Sequence, residues 1–222
     1  MSVPVVRNIL QANERLAAAN RKRFDDAGIY VINLMSSPGA GKTSLLEKTI
    51  DGLADRIKMA VIEGDLQCSY DAERIQKKGV QAVQINTEGG CHLDGNMIQI
   101  AMEQIDLKDL DLLIIENVGN LVCPAEFNLG EHDKIVILSV AEGDDKPMKY
   151  PLMFQLSSVL LVNKIDLLPY IDCDMEKIRD RVGRLNATQT VFEVSCRTGE
   201  GLKGWFDWLE SKVMEQKKRR VE

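Results

Sequence analysis

A glycine-rich loop that carries a lysine and a threonine is the first segment of the sequence with residues suited to chemistry. Residues 36–43 read Ser-Ser-Pro-Gly-Ala-Gly-Lys-Thr and lie between an apolar run and a helical pattern. Glycines let backbone N–H groups surround phosphate oxygens, and the start of a helix adds partial positive charge. Ser36 replaces the glycine of the strict consensus, at a position that needs only a small residue. We therefore predict a P-loop whose phosphate-binding residues are Gly39, Ala40, Gly41, Lys42, Thr43 and Ser44.

Acidic residues at the ends of predicted strands are expected to complete the phosphate site. Glu116 ends an apolar run and is followed three residues later by Gly119, a pattern that resembles a Walker B strand. Asp65 closes another apolar run, and Asp71 follows it at the start of a helical stretch, where it could also be a helix cap. Strand ends form the crevice in which α/β sheets bind ligands. The residues expected to hold Mg²⁺ are Thr43, Asp65 and Glu116. The residues expected to act in catalysis are Lys42, Asp65, Asp71 and Glu116, with the acid that orients water left open.

A four-residue motif indicates which base is bound. Residues 163–166 read Asn-Lys-Ile-Asp and match the Asn-Lys-x-Asp signature of guanine-nucleotide-binding proteins. Asp166 can accept two hydrogen bonds that adenine cannot offer, so the wrong base would leave a buried carboxylate unpaired. Asn163 either binds the base edge or braces the P-loop, and the stem of Lys164 packs over the ring. A backbone contact to guanine O6 is expected from Ser195, Cys196 and Arg197. The predicted nucleotide is GTP, with GDP as its product.

Two thiols and an imidazole form a second candidate site. Cys91 and His92 are adjacent in the sequence, and Cys123 lies seven residues after Glu116. If both loops reach the nucleotide edge of the sheet, these three side chains can bind Zn²⁺ or Ni²⁺. Water, another side chain or a second subunit would then complete a tetrahedron. The alternative is that both cysteines are small core residues and the histidine an ordinary loop residue.

The remaining cysteines and histidine carry weaker expectations. Cys68 is close enough to Asp65 in the sequence to be an additional metal candidate, whereas Cys173 and Cys196 are expected to be structural. His132 is expected to be a loop residue without a chemical role.

Alternating short apolar runs and helical patterns must position these residues. Uniformly apolar strands are typical of a parallel sheet buried on both faces, and their alternation with helices predicts a three-layer α/β fold. The strands are expected near Tyr30–Met35, Met59–Glu63, Ala82–Ile85, Leu112–Glu116, Ile135–Val140, Val159–Val162 and Val191–Val194. The helices are expected near Thr43–Leu53, Asp71–Lys78, Asp94–Gln104, Met175–Arg184 and Leu202–Lys217. The prediction is a P-loop NTPase fold with a mostly parallel central sheet of about seven strands.

The chain is expected to form a single P-loop GTPase domain over residues 1–222. Residues 1–26 are expected to form an N-terminal amphipathic helix that packs on this domain or on a second subunit, with its charged and amide residues on the outer face. The sequence has 28 basic and 34 acidic residues and a net charge of −6, which argues against binding nucleic acid through phosphate neutralisation. No apolar run approaches the roughly 20 residues of a membrane span. We expect a cytoplasmic protein with neither nucleic acid nor membrane as partner.

Several segments together resemble the HypB family of hydrogenase maturation GTPases, of the SIMIBI class. These segments are residues 36–43, 91–94, 116–124, 142–145 and 163–166. The resemblance implies a nucleotide-dependent homodimer that delivers nickel to the large subunit of [NiFe] hydrogenase, working with a HypA-type nickel chaperone. It also implies that Cys91, His92 and Cys123 form the nickel or zinc site at the dimer interface. This sequence has two histidines in all and its first cysteine is Cys68, so a weaker, transfer-type nickel site is expected.

The expected mechanism is a switch in which nucleotide state and metal geometry are connected. GTP and Mg²⁺ would order the loops around Asp65, Asp71 and Glu116, and hydrolysis would loosen them and alter the metal ligands. No glutamine or arginine finger can be identified in the sequence, so intrinsic hydrolysis is expected to be slow. The alternatives are a nickel GTPase of the urease-accessory type, a P-loop small-molecule kinase, and a non-catalytic scaffold with structural zinc.

Overall fold

A seven-stranded sheet forms the centre of the computed structural model, which describes residues 5–65 and 70–221. The strands are β1 (Tyr30–Ser36), β2 (Met59–Asp65), β3 (Gln81–Asn86), β4 (Leu112–Glu116), β5 (Asp133–Ser139), β6 (Val159–Asn163) and β7 (Thr190–Glu193). Their order in the sheet is β3-β2-β4-β1-β5-β6-β7, and every neighbouring pair is parallel. The three-layer α/β prediction is confirmed, and the sheet is parallel throughout rather than mostly parallel.

Helices cover both faces of the sheet. They are α1 (Val5–Ala27), α2 (Lys42–Leu53), α3 (Tyr70–Gln76), α4 (Gly95–Ala101), α5 (Cys123–Glu126), α6 (Lys146–Lys149), α7 (Pro151–Leu156), α8 (Met175–Leu185) and α9 (Leu202–Val221). Short 3₁₀ turns span Met102–Gln104, Val140–Glu142 and Ile165–Tyr170. The sequence did not predict α5, α6 and α7, because four to six residues that begin at or beside a proline show no helical periodicity. Within the described residues, no helix has the length and apolar character of a membrane span.

The apolar strands divide their side chains between two faces of the sheet. Ile114 of β4 packs in the core under α2 and α9, while its neighbour Ile115 packs in the core under α1 and α4. Successive strand residues point to opposite faces, so a strand buried on both sides has no polar alternation. This double burial is the physical reason that the strands appear in the sequence as continuous apolar runs.

The N-terminal helix α1 packs on α4, and it does so partly through amide side chains. Asn13 and Asn20 are buried, which contradicts the expectation that the amides lie on the outer face. The amide of Asn13 donates to the carbonyl of Asn128 at 2.8 Å and its oxygen accepts from the N–H of Gly95 at 2.8 Å. Asn20 donates to the carbonyls of Gly95 and Leu129 at 2.8 and 3.2 Å. These bonds satisfy backbone groups that the packing of α1 removes from water.

Candidate nucleotide and metal sites

A cleft at the carboxyl ends of the strands brings together most of the residues predicted to bind phosphate and Mg²⁺. Its volume is about 480 Å³. The predicted residues that line it are Gly39, Gly41, Lys42, Thr43, Ser44, Asp65, Asp71, Glu116, Gly119 and Lys164. Ala40 belongs to the same loop, but its side chain is buried in the core. The cleft lies where the sheet order places β1 between β4 and β5, the kind of position at which doubly wound sheets bind ligands.

The P-loop runs from β1 into α2, which begins at Lys42. Gly41 has φ of 106°, and a Cβ there would lie 2.5 Å from the side-chain nitrogen of Asn163. Only glycine therefore fits this point. The Lys42 ammonium donates to the Ser36 hydroxyl at 3.1 Å, and the Thr43 hydroxyl donates to Glu116 Oε1 at 3.0 Å. The lysine and the threonine thus both lie at the start of the helix, where backbone N–H groups and the helix dipole favour an anion.

Glu116 is the buried carboxyl end of β4. Burial raises the pKa of its carboxyl group, while the charge of Lys42 and the hydrogen bond from Thr43 act in the opposite direction. Among the residues that the structure describes, its second oxygen, Oε2, is buried and has no hydrogen-bond partner. An unpartnered carboxylate oxygen beside a hydroxyl is a donor set that suits a hard cation such as Mg²⁺.

A second buried glutamate, Glu63, lies beside Glu116 and was not predicted from the sequence. The parallel register of β2 and β4 pairs the two residues, and Glu63 also lines the cleft. Burial raises the pKa of Glu63, and the negative charges of Glu116 and Asp71 raise it further. The available signal was the period of the strand, which places Glu63 on the same face as Asp65.

Asp65 and Asp71 flank the cleft from β2 and α3. Asp65 is the last residue of its strand, and Asp71 lies in the first turn of α3. Asp71 accepts a hydrogen bond from Arg74 at 2.8 Å, and Arg74 also binds Glu47 of α2 at 2.7 and 3.1 Å. Arg74 lines the cleft and was likewise missed by the sequence analysis, since nothing in its spacing distinguishes it from a surface arginine. It fixes Asp71 to the helix that follows the P-loop.

The residues predicted to bind guanine gather at the ends of β6 and β7. Asn163 donates to the carbonyl of Ala40 at 2.9 Å, and the Lys164 ammonium donates to the carbonyl of Gly39 at 2.7 Å. Both residues therefore brace the P-loop. Asp166 accepts a hydrogen bond from the Ser195 hydroxyl at 2.6 Å and lies 3.7 Å from the Arg197 guanidinium.

Cys196 links the two base motifs through its backbone. Its N–H donates to Asn163 Oδ1 at 3.2 Å, and its side chain is buried in the core. Burial raises the pKa of the Cys196 thiol to about 11, so it remains protonated at neutral pH. This agrees with the structural role expected of its thiol.

The structure brings Cys91, His92 and Cys123 together. Their ligand atoms all lie within 4.8 Å of one another. The two sulfur atoms are 2.9 Å apart, and Cys91 Sγ lies 3.5 Å from His92 Nδ1. The His92 ring packs against Phe127 with centroids 3.8 Å apart and the ring planes tilted by 31°. Two thiols and an imidazole at this separation suit Zn²⁺ or Ni²⁺.

The electrostatics of this cluster favour binding a cation. The neighbouring Cys91 thiol and burial raise the pKa of Cys123, because two adjacent thiolates repel each other. Burial lowers the pKa of His92, which keeps the imidazole neutral and available as a ligand. A bound divalent metal would reverse the penalty on the thiolates.

Short polar links connect the metal cluster to the phosphate cleft. Asn117, directly after Glu116, accepts from the N–H of Leu93 at 3.2 Å. Asn120 donates to the carbonyl of Cys91 at 3.3 Å. A Cβ on Gly119 would lie 3.2 Å from Pro38 of the P-loop. The chain between Glu116 and Cys123 therefore contacts the P-loop on one side and the Cys91–His92 loop on the other.

The remaining residues singled out in the sequence lie apart from these sites or outside the described residues. Cys68 lies outside the described residues. Cys173 is half-buried near Asp144, Asp174 and Asp172, whose charges add to burial in raising the pKa of its thiol. His132, at the other end of the sheet, donates from Nε2 to Asp25 at 2.9 Å and accepts at Nδ1 from the Val31 N–H at 3.0 Å. It ties α1 to β1.

The fold and the phosphate loop define a P-loop nucleotide-binding protein. Residues 30–193 match the family model described as the CobW/HypB/UreG nucleotide-binding domain. The chain is 52% identical to the hydrogenase maturation factor HypB of Azotobacter chroococcum mcd 1, over 94% of this chain and 68% of that protein. It is 41% identical to the probable hydrogenase maturation factor HypB of Methanocaldococcus jannaschii, over 96% of each.

A solved structure agrees with these relatives. The crystal structure of HypB from Helicobacter pylori in complex with nickel superposes with a TM-score of 0.88 at 40% identity, covering 92% of this chain and 96% of that chain. The chain belongs to the HypB family of hydrogenase maturation factors. These relatives favour a role in hydrogenase maturation over the urease-accessory and small-molecule kinase alternatives.

Proposed function

We propose that the protein is a GTP-hydrolysing metallochaperone that delivers nickel during the maturation of [NiFe] hydrogenase. The observation that carries this proposal is the polar connection between the phosphate cleft and the Cys91–His92–Cys123 cluster, through Asn117 and Asn120. A nucleotide site alone would serve many reactions, and a thiolate site alone could be structural zinc. Both sites contact the segment of chain between Glu116 and Cys123, which supports a switch in which the bound nucleotide alters the metal site.

The phosphate cleft supplies the hydrolytic part of this function. The N–H groups of residues 39–44 and the Lys42 ammonium would bind the phosphates. Mg²⁺, held by Thr43, Asp65 and Glu116, would neutralise charge on the β- and γ-phosphates when bound. Asp65 or Asp71 would orient the attacking water, and Gly119 would respond to the γ-phosphate. Arg74, the arginine that lines the cleft, is bound by Asp71 and Glu47 and is therefore not positioned as an arginine finger. Hydrolysis by the isolated chain is accordingly expected to be slow.

The base site would select guanine through the Asp166 carboxylate. Asp166 is held by Ser195 and Arg197, and these contacts would orient its oxygens toward the guanine N1–H and exocyclic amine. Lys164 would cover the ring, while Asn163 and Cys196 would hold the base loops against the P-loop. An adenine nucleotide would leave the Asp166 carboxylate without its partners.

The metal cluster would carry nickel as cargo and also accept zinc. Three protein ligands leave at least one coordination position open, which suits transfer better than storage. GTP would favour a homodimer, and hydrolysis would loosen the segment between Glu116 and Cys123 and weaken the hold on nickel. A HypA-type chaperone and the large subunit of [NiFe] hydrogenase are the proposed partners, in the cytoplasm.

Calorimetric titration tests this proposal. Ni²⁺ and Zn²⁺ are titrated into the wild type and a Cys91→Ala/Cys123→Ala variant, each with GDP and with a non-hydrolysable GTP analogue. The matched control is Cys173→Ala, which removes a thiol away from the cluster. We expect stoichiometric binding that only the double variant loses, with an affinity that depends on the nucleotide. Equal binding in all three proteins would refute the metal site, and absence of GTP turnover in the wild type would refute the GTPase.

A further inference from the structure

Two buried glutamates face each other beneath the P-loop. Glu63 of β2 and Glu116 of β4 are partners in the parallel register. Val61 and Ile114, two residues before them, both pack in the core under α2. Since strand residues two apart share a face, both carboxyl groups point to the side on which the P-loop enters α2.

The oxygens of this pair are buried and incompletely bonded. Glu63 is 3% exposed and Glu116 is 5% exposed. Glu63 Oε1 and Glu116 Oε2 have no hydrogen-bond partner in the part of the chain that the structure describes. A buried carboxylate oxygen without a hydrogen-bond partner lowers the stability of the folded state. The two carboxyl groups are hydrogen-bonded to each other, and among the described residues this contact leaves one oxygen of each without a donor.

The charges around the pair leave it short of positive partners. Asp71 adds a third negative charge, and Lys42 is the cation whose charge acts on both glutamates. The Lys42 ammonium is also hydrogen-bonded to Ser36 and would be drawn toward the phosphates. Both carboxyl groups line the cleft, so a divalent cation that enters with the nucleotide would supply the charge they lack.

We propose that Glu63 is a further residue of the magnesium site and presents a second buried carboxylate to the ion beside Glu116. This inference rests on the proposed function, because it assumes that the cleft binds a Mg²⁺–nucleotide complex. Mg²⁺ prefers hard oxygen donors and is commonly held through one or two carboxylates together with water. Without the ion the two buried carboxyl groups cannot both be charged without repelling each other. With the ion they hold it more tightly than Glu116 alone.

The substitution Glu63→Gln separates this role from a purely structural one. Glutamine keeps the size of the side chain and removes its charge. If Glu63 serves the ion, the variant without nucleotide is more stable than the wild type, because the neutral glutamine removes the cost of burying two acidic groups side by side. It also needs more Mg²⁺ to bind nucleotide.

Glu131 is a matched control. It is equally buried at 5% exposure, but its oxygens accept from the Leu129 N–H at 2.6 Å and the Asn33 amide at 3.3 Å. Lys134 lies 3.7 Å from it. Glu131→Gln should therefore lower stability and leave the Mg²⁺ requirement unchanged.

Two measurements on the full chain test the proposal. The first is thermal unfolding without nucleotide or metal. The second is the Mg²⁺ concentration that gives half-maximal binding of a fluorescent, non-hydrolysable GTP analogue. We expect Glu63→Gln to unfold at a higher temperature and to need about 10-fold to 100-fold more Mg²⁺, as is usual when a supporting group of a metal site is lost.

Three results would overturn the inference. They are an unchanged Mg²⁺ requirement in Glu63→Gln, a loss of stability like that of Glu131→Gln, and failure of Glu63→Gln to fold. Absence of Mg²⁺-dependent binding in the wild type would instead refute the proposed function, and the role of Glu63 with it. The wild-type measurement therefore distinguishes the two failures.

Discussion

Replacing Asn117 by alanine should disconnect the metal cluster from the phosphate cleft. The Asn117 side chain is almost fully buried and makes three hydrogen bonds. Its oxygen accepts from the N–H groups of Leu93 at 3.2 Å and Val118 at 2.9 Å, and its amide donates to Asn33 at 3.2 Å. Leu93 directly follows the Cys91–His92 pair, so Asn117 joins the segment after Glu116 to the loop that carries two of the proposed metal ligands.

The size of the effect follows from the groups that lose their partners. Leu93 and Asn33 are both 0% exposed, so Asn117→Ala leaves a buried N–H and a buried amide oxygen unpaired, at about 1–3 kcal/mol each. We expect a loss of about 3 kcal/mol in the free energy of unfolding. For a chain of this length that corresponds to a fall of about 6–12 °C in Tm.

Thermal unfolding and metal titration with GDP and the GTP analogue measure both consequences. The matched control is Asn96→Ala, because Asn96 is exposed on α4 and an exposed polar side chain should change stability by less than about 0.5 kcal/mol. We expect Asn117→Ala to bind nickel with nearly the same affinity in both nucleotide states. The reasoning is refuted if the variant is as stable as Asn96→Ala, or if it keeps the full nucleotide dependence of the wild type.

Three further predictions concern stability. Asn20→Ala should lower the free energy of unfolding by about 2 kcal/mol in denaturant titration, because the carbonyls of Gly95 and Leu129 lose the buried donor that Asn20 supplies; an unchanged midpoint would contradict the packing of α1. His132 should remain neutral when folded, because burial lowers its pKa and its Nδ1 accepts a backbone N–H. Stability should therefore fall as the pH drops below the unfolded value of about 6.5, and His132→Gln should flatten this slope; equal slopes would refute it. Zn²⁺ at about 100 times its Kd should stabilise the wild type by about 2.7 kcal/mol and leave Cys91→Ala/Cys123→Ala unchanged, as measured by thermal unfolding; equal shifts would indicate binding elsewhere.

The strands and the P-loop were predictable because their signals are local. The continuous apolar run before Glu116 reports burial on both faces of a parallel sheet. The residues Gly-Lys-Thr, of which the last two are Lys42 and Thr43, come directly before a helical pattern. They indicate the start of α2. In both cases a few neighbouring residues carry the constraint, so the sequence alone indicates the structure.

The residues that were missed depend on register and on packing between distant segments. Glu63 faces Glu116 only because β2 and β4 are neighbours in a particular register, although the two residues are far apart in the chain. The side chain of Arg74 is positioned by its hydrogen bonds to Glu47 on another helix. Asparagine is usually found at the protein surface, and the burial of Asn20 follows from the approach of α1 to the Gly95 backbone. Sequence spacing contains none of these relationships.

The central claim is that nickel at the Cys91–His92–Cys123 cluster and nucleotide in the P-loop influence each other. Binding linkage is reciprocal, so nickel must change the affinity for the GTP analogue by the same factor by which the analogue changes the affinity for nickel. The most direct measurement is the affinity of the wild type for the GTP analogue and for GDP, with and without saturating Ni²⁺. We expect Ni²⁺ to shift the ratio of the two affinities by at least about fivefold, and the Cys91→Ala/Cys123→Ala variant to show no shift. A ratio that is the same with and without nickel in the wild type would contradict the account.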